Sequence, residues 1–214
     1  MSPYDIRTVE MSLYIPVGNY DRYEIDHAYY KEMMGEMIRR FGDLRRDDSC
    51  RLLELGAGTG IFSRSLLESS AVVARDEYVA VEIDYPCFKF LDDTVHELRE
   101  RPTKSGGEPR RYFARHEDSR AFDPDGRFAF IFSSFADHHI RMSDKHQYFL
   151  NVLRNLTDDG YFIVGDEFLP PHDERDERLE HGAHAAAGLL DRPREPRRKA
   201  AHQARERPRE QAGG

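Results

Sequence analysis

At 214 residues, with 13 Phe and 11 Tyr, the chain has room for one α/β domain plus a small appendage and enough aromatic mass for a core. Its net charge of −8 gives no basic footprint for nucleic acid. Cys50 and Cys87 form no CxxC pair, no run of roughly 18 apolar residues suggests a membrane span, and the acid-bearing N-terminus does not read as a signal peptide, so the expectation is a cytoplasmic protein with no membrane partner.

In chain order, residues 27–41 place Tyr30, Met33, Met37 and Phe41 at helical spacing. Arg51–Leu55 reads as a short buried strand, followed by a glycine-rich turn and a helix from about Ile61 with Phe62 and Leu66 on one side. Tyr78–Ile83 predicts a second strand. Asp84 is placed to cap the next helix, with Pro86 just inside it and Phe88, Leu91, Val95 and Leu98 along it. KSGGEP at 104–109 is a turn before a strand at Arg111–Ala114, and Phe128–Ser133 is a fourth apolar run. Ser143 predicts the start of a helix carrying Phe149, Leu153 and Leu156, stopped by Asp158-Asp159-Gly160. Tyr161–Gly165 is the last predicted strand. Alternating strands and helices imply a Rossmann-like, doubly wound and mostly parallel sheet.

Composition changes after Pro171. Residues 191–214 contain no Val, Ile, Leu, Met, Phe or Tyr, so they cannot bury enough surface to offset their ordering entropy. Their eight basic and four acidic residues could be read as a nucleic-acid arm, but the prolines and interleaved acids favour an unselected tail. The expected organisation is an N-terminal helical cap over 1–45, a Rossmann-like domain over 46–171, and a polar, disordered or loosely helical tail over 172–214.

In an open parallel sheet, ligands bind at the carboxyl ends of the strands, where strand order reverses. The turn Glu54-Leu55-Gly56-Ala57-Gly58-Thr59-Gly60 follows the first strand and lets backbone approach a ligand closely. A dinucleotide fingerprint would require glycine at position 61, where Ile61 stands. The second strand ends in Glu82, whose two acceptor oxygens suit a ribose diol, while Asp84 is better placed to cap.

This ExGxGxG pattern resembles the class I S-adenosylmethionine-dependent methyltransferases. The resemblance implies that S-adenosyl-L-methionine is the cofactor, that Glu54 anchors its ammonium, and that Gly56, Ala57, Gly58 and Gly60 wrap its methionine part. It further implies that Glu82 binds the ribose and that Asp118, with Ser119 beside it, receives the adenine edge. Phe128–Ile140, FAFIFSSFADHHI, is similar to the SSFALHHL-like stretch of the small-molecule branch with a ubiquinone/menaquinone-biosynthesis type of domain. That segment, including Ser134, borders cofactor and substrate in the family. Tyr20-Asp21 resembles the family's YD pair that closes over the cofactor. FLNVLRNLTDDGYFIVGDEFLPP looks like the family's LxxxxRxLxPGGxLxxxDxxxP, and the likeness runs over roughly residues 20–171. The NPPY or DPPY tetrapeptide of nucleobase-methylating enzymes is absent.

The expected function is methyl transfer to oxygen or nitrogen of a small metabolite. His138 and His139 are the candidate catalytic residues, since imidazole is the usual proton acceptor near neutral pH, and Asp137 either orients them or is exposed. No metal-ligand spacing accompanies the histidines. The family sheet continues past its fifth strand with a helix and an antiparallel hairpin completing seven strands. The sequence after Pro171 lacks the needed apolar alternation, so the domain is expected to lack its last two strands, leaving an edge that a homodimer partner could cover. The alternative reading is a non-methylating cofactor-binding protein, either a pseudoenzyme or regulatory partner, or a cyclase on the same fold.

Overall fold

The computed structural model describes residues 11–13, 15–101 and 110–166, all within one compact unit, Met1–Glu167. A short 3-10 turn (Met11–Leu13) precedes α1 (Val17–Ile25) and α2 (Tyr30–Leu44). Then follow β1 (Arg51–Leu55), α3 (Ile61–Leu67), β2 (Glu77–Glu82), α4 (Tyr85–Glu100), β3 (Arg111–His116) and β4 (Phe128–Ser134). A second 3-10 turn (Asp137–His139), α5 (Lys145–Asn155) and β5 (Leu156–Gly165) complete the described order.

The five strands form one sheet in the order β3-β2-β1-β4-β5, and every pairing is parallel. The chain winds outward to β3, then crosses back to lay β4 on the other side of β1. That reversal between β1 and β4 opens a crevice at the carboxyl ends of these strands.

Both sheet faces are covered, which is why the strands read as nearly unbroken apolar runs. On one face Leu52, Tyr78, Ala80, Phe130 and Phe132 pack with Phe41 of α2, Phe62 of α3 and Leu91 of α4. On the other, Leu53, Leu55, Val79, Val81 and Ile131 pack with Tyr148 and Val152 of α5. At the amino ends of the strands, the fully buried Asp76 carboxylate accepts from Arg45 (2.6 and 2.8 Å) and from the backbone of Cys50 and Val73 (2.8 Å each), so that end is fixed by a saturated ion pair.

The structure corrects three readings. The inward face of α5 carries Tyr148, Asn151, Val152 and Asn155, while Phe149 and Leu153 are 41% and 66% exposed. Asn151 and Asn155 face inward because their amides donate to the backbone carbonyls of Ser119 and Phe122 at 3.0–3.1 Å. Second, β5 begins at Leu156, and Asp158-Asp159-Gly160 becomes an excursion inside it. Phe128 pairs with Leu156 and Phe130 with Tyr161, so the turn residues bulge out without ending the pairing. Third, Asp84 occupies the N-cap position of α4 with Pro86 in the first turn, but its side chain makes no capping hydrogen bond. Its oxygens accept instead from the Ser12 backbone N–H (2.7 Å) and hydroxyl (2.8 Å). The predicted turn at 104–109, the expected loss of two strands and the polar tail lie outside the described residues.

Candidate functional site

The crevice is built from the glycine turn outward. Gly56, Gly58 and Gly60 all have positive φ, at 68°, 56° and 93°. The N–H groups of Gly56 and Ala57 donate to Val81 O at 2.9 and 3.0 Å, tying the turn to the end of β2. A Cβ on Gly56 would lie 2.7 Å from the Ala136 Cβ, so only glycine lets the turn pass under the segment leaving β4. Gly60 does different work: it is the N-cap of α3, and a Cβ there would press on Leu91 and Thr94 of α4 at 3.1–3.4 Å.

The Glu82 carboxylate stands beneath the turn. Its Oε2 accepts from Gly58 N–H and its Oε1 from Asp84 N–H, both at 2.7 Å. Burial pushes its pKa up to about 6, against the pull of those backbone donors. Glu54 is 1% exposed. Its Oε2 receives the Ser63 hydroxyl at 2.8 Å and also the Tyr78 hydroxyl. Burial raises its pKa to about 7, the two hydroxyls oppose that shift, and the nearby Glu82 adds to it.

A strap formed by the first 3-10 turn and α1 closes the other side. Ser12 is held on Asp84, and Asp21 accepts the Thr59 hydroxyl. A Tyr20 ring carbon stands 3.6 Å from where a Gly58 Cβ would be. Burial, then the nearby Glu24, pushes the Tyr20 hydroxyl well above its ordinary range.

The fourth wall follows β4. Ser134, Phe135, Ala136, His139 and Ile140 line the crevice. Phe135 has φ 54°, a backbone region costly for a bulky residue. Its ring packs edge-on against His27, Tyr30 and His138, with centroids 4.8, 5.5 and 5.1 Å away. His138 is not among the residues that line the crevice. Its Nδ1 lies 2.6 Å from Asp166 Oδ1, and its backbone N–H donates to Asp166 Oδ2 at 3.0 Å. Because a carboxylate only accepts, it is His138 Nδ1–H that donates to Asp166. The His139 ring lies tilted against that of His138, with centroids 4.0 Å apart and planes at 48°. Burial, and then repulsion from His138, lowers the His139 pKa to about 4, so this imidazole is neutral at pH 7.

The crevice therefore gathers Tyr20, Glu54, Gly56, Ala57, Gly58, Glu82, Ser119, Ser134 and His139. Three sequence-predicted positions fall elsewhere. Gly60 packs against α4, and His138 sits behind His139. Asp118 is gripped by Arg120, which also reaches Asp144 at 2.7 Å. Burial works against ionisation of Asp118, but the Arg120 hydrogen bonds outweigh it and hold the carboxyl below its ordinary value. Asp137 orients no histidine; it pairs with Lys145. Sequence reasoning missed Ser12, Tyr30, Tyr78 and Asp166. Tyr30 and Tyr78 looked like ordinary core positions, and Asp166 follows a strand end where an acid usually meets solvent.

Chemically, the crevice offers buried carboxyls, close-approach backbone and a neutral imidazole, with no Lys or Arg among its described lining residues. Among the described residues, no cluster of three or more His, Cys, Asp or Glu could hold a metal ion, and no helix is long and apolar enough to cross a membrane.

A family model described as a methyltransferase domain matches residues 25–203. No curated protein matches the sequence at a significant level. Among solved structures, the chain is similar to an amino pentose methyltransferase of calicheamicin biosynthesis from Micromonospora echinaspora, solved with S-adenosylmethionine bound. The identity is 16% and the TM-score 0.53, covering 75% of this chain and 60% of that one. It is also similar to the YcgJ protein of Bacillus subtilis (22%, TM-score 0.52, 75% and 59% covered). A third is the N-methyltransferase NodS of Bradyrhizobium japonicum in complex with S-adenosyl-L-homocysteine (13%, TM-score 0.53, 69% and 67% covered). These are likenesses of fold, and the chain spans about 60% of the length of the first two.

Proposed function

The chain belongs to this methyltransferase-domain family, and we propose that it moves a methyl group from S-adenosylmethionine to an oxygen or nitrogen of a small molecule. The observation that carries the reading is the Gly56–Gly58 turn held over the buried Glu82 carboxylate at the strand-order reversal.

The chemistry of the crevice fits that cofactor. Each carboxylate oxygen of Glu82 keeps acceptor capacity beyond its one backbone donor, enough for two ribose hydroxyls. The turn supplies close backbone for the methionine part, and Glu54 lies below it to face an ammonium. Ser119 lines the crevice and is the candidate for the adenine edge, whereas Asp118 would have to leave Arg120 to serve it. Tyr20 and Met11 of the strap line the crevice beside these groups.

When bound, the cofactor supplies an electrophilic methyl on a sulfonium, displaced in line by the acceptor's lone pair. The protein's share is to align the acceptor, exclude water and take its proton. His139 faces the crevice as a neutral imidazole and is the group placed to receive that proton. Asp166 accepts from His138 Nδ1 and so orients the ring that backs His139. The small-molecule reading is supported by Phe135, Ala136 and His139 of the FADHH segment on the crevice wall and by the net charge of −8. Incubating the full chain with S-adenosylmethionine and panels of small alcohols, phenols and amines should yield S-adenosylhomocysteine with some of them. Cofactor binding with no turnover across all panels would favour a non-methylating role.

A further inference from the structure

Three carboxyls, those of Glu54, Glu82 and Asp84, line the same crevice at 1%, 6% and 2% exposure. Among the described residues none has a basic partner, and all their donors there are neutral. Burying several carboxylates together without a cation costs several kcal/mol, and proteins relieve that cost by keeping a proton on one of them. The donors decide which one. Glu82 accepts from two backbone N–H groups, and Asp84 accepts from the Ser12 N–H as well as its hydroxyl. A backbone N–H can only donate, so it supports an anion and cannot serve a neutral carboxylic acid's proton. Glu54 is held only by hydroxyls, those of Ser63 and Tyr78, which lie 2.8 Å from each other. Hydroxyls rotate, and can accept a hydrogen bond as readily as they donate one.

We propose that Glu54 carries a proton until the cofactor binds and releases it to solvent as the cofactor's ammonium approaches, so that the anchoring carboxylate is created by binding. This rests on the cofactor reading above. The groups around Glu54 are consistent from every side: Ser63 comes from α3, Tyr78 and Glu82 from β2, Phe132 from the paired β4 and Tyr30 from α2, with His139 and Asp84 across the crevice. Burial, raising Glu54 to about 7 and Glu82 only to about 6, ranks them in the same order. The consequence is selectivity for nucleosides that keep the amino-acid part, and an affinity that rises with pH until Glu54 is ionised.

The test is titration calorimetry of the full chain at pH 7 in two buffers of different ionisation enthalpy. With S-adenosylmethionine, the difference in heats should report release of about half a proton per site, as expected for a group near pKa 7. 5′-Methylthioadenosine, which lacks the ammonium, should bind without release. Glu54→Gln should abolish the release. Tyr78→Phe keeps the carboxyl but removes a donor to its anion, so it should raise the release above half. Buffer-independent heats with S-adenosylmethionine, equal release with 5′-methylthioadenosine, or an unchanged count in Tyr78→Phe would overturn the proposal. Absence of any binding would overturn the cofactor reading, and this inference with it.

Discussion

The floor of the crevice and the strap above it are built on different terms. The floor is made of sheet: β2 is buried along its whole length, and β1 at every residue but the first. The strap has no fully buried residue in its 3-10 turn or in α1, Tyr20 being half-buried, and its polar ties run from Ser12 to Asp84 and from Asp21 to Thr59. A site that must hold a ligand precisely yet admit it benefits from this division, because the ligating groups stay rigid while the cover opens at low cost.

The matched glycines test that contrast most sharply. Gly56→Ala and Gly58→Ala both place a side chain at positive φ, costing about 1–2 kcal/mol. At Gly56 the new methyl also strikes Ala136 of the floor, whereas at Gly58 it meets only Tyr20 of the strap at an ordinary 3.6 Å. Overpacking should add about 1–3 kcal/mol to the first variant alone. Thermal denaturation should therefore show Gly56→Ala clearly less stable; equal melting temperatures would break the distinction.

The floor and the wall that follows β4 should also carry the pH sensitivity. His139, lowered from 6.5 to about 4, contributes stability that is present above pH 6.5 and lost as pH falls through about 4. Glu54, raised from 4.5 to about 7, contributes stability that is present below pH 4.5 and lost as pH rises through about 7. Between about pH 4.5 and 6.5 the two slopes run in opposite directions and offset each other, so each variant should unmask the other group's slope. His139→Asn should remove the rise with pH, about 1–2 kcal/mol allowing for partial exposure, and Glu54→Gln the fall. Chemical denaturation at half-unit pH steps would show it, and unchanged slopes in the variants would count against these assignments.

The smallest effect belongs to the strap. Asp21→Ala removes its tie to Thr59, worth about 1 kcal/mol, so hydrogen exchange across Val17–Ile25 should quicken roughly fivefold while β1 and β2 stay unchanged. Faster exchange in the strands as well would mean that strap and floor open together.

Much of the floor was legible in the sequence, because its physics is local. RLLEL and YVAVE are short apolar runs, and the three glycines mark where backbone must take positive φ. What escaped depends on partners far along the chain. Asp84 looks like a cap until Ser12, 72 residues away, is seen to occupy it. The inward face of α5 was misread because Asn151 and Asn155 are buried for hydrogen bonds to a distant loop, which hydropathy periodicity cannot register. Asp118 stood in the expected stretch, but its neighbour Arg120 claims its carboxylate.

The central claim is that the glycine turn and Glu82 form an S-adenosylmethionine site. Calorimetry with S-adenosylmethionine on the intact protein and on Glu82→Ala tests it most directly. One site per chain should be seen, weakened in the variant about 10- to 100-fold, as expected for loss of hydrogen bonds to a charged group worth about 1.5–3 kcal/mol. No binding by the intact protein would contradict the account, and unchanged affinity in Glu82→Ala would remove the carboxylate from the site.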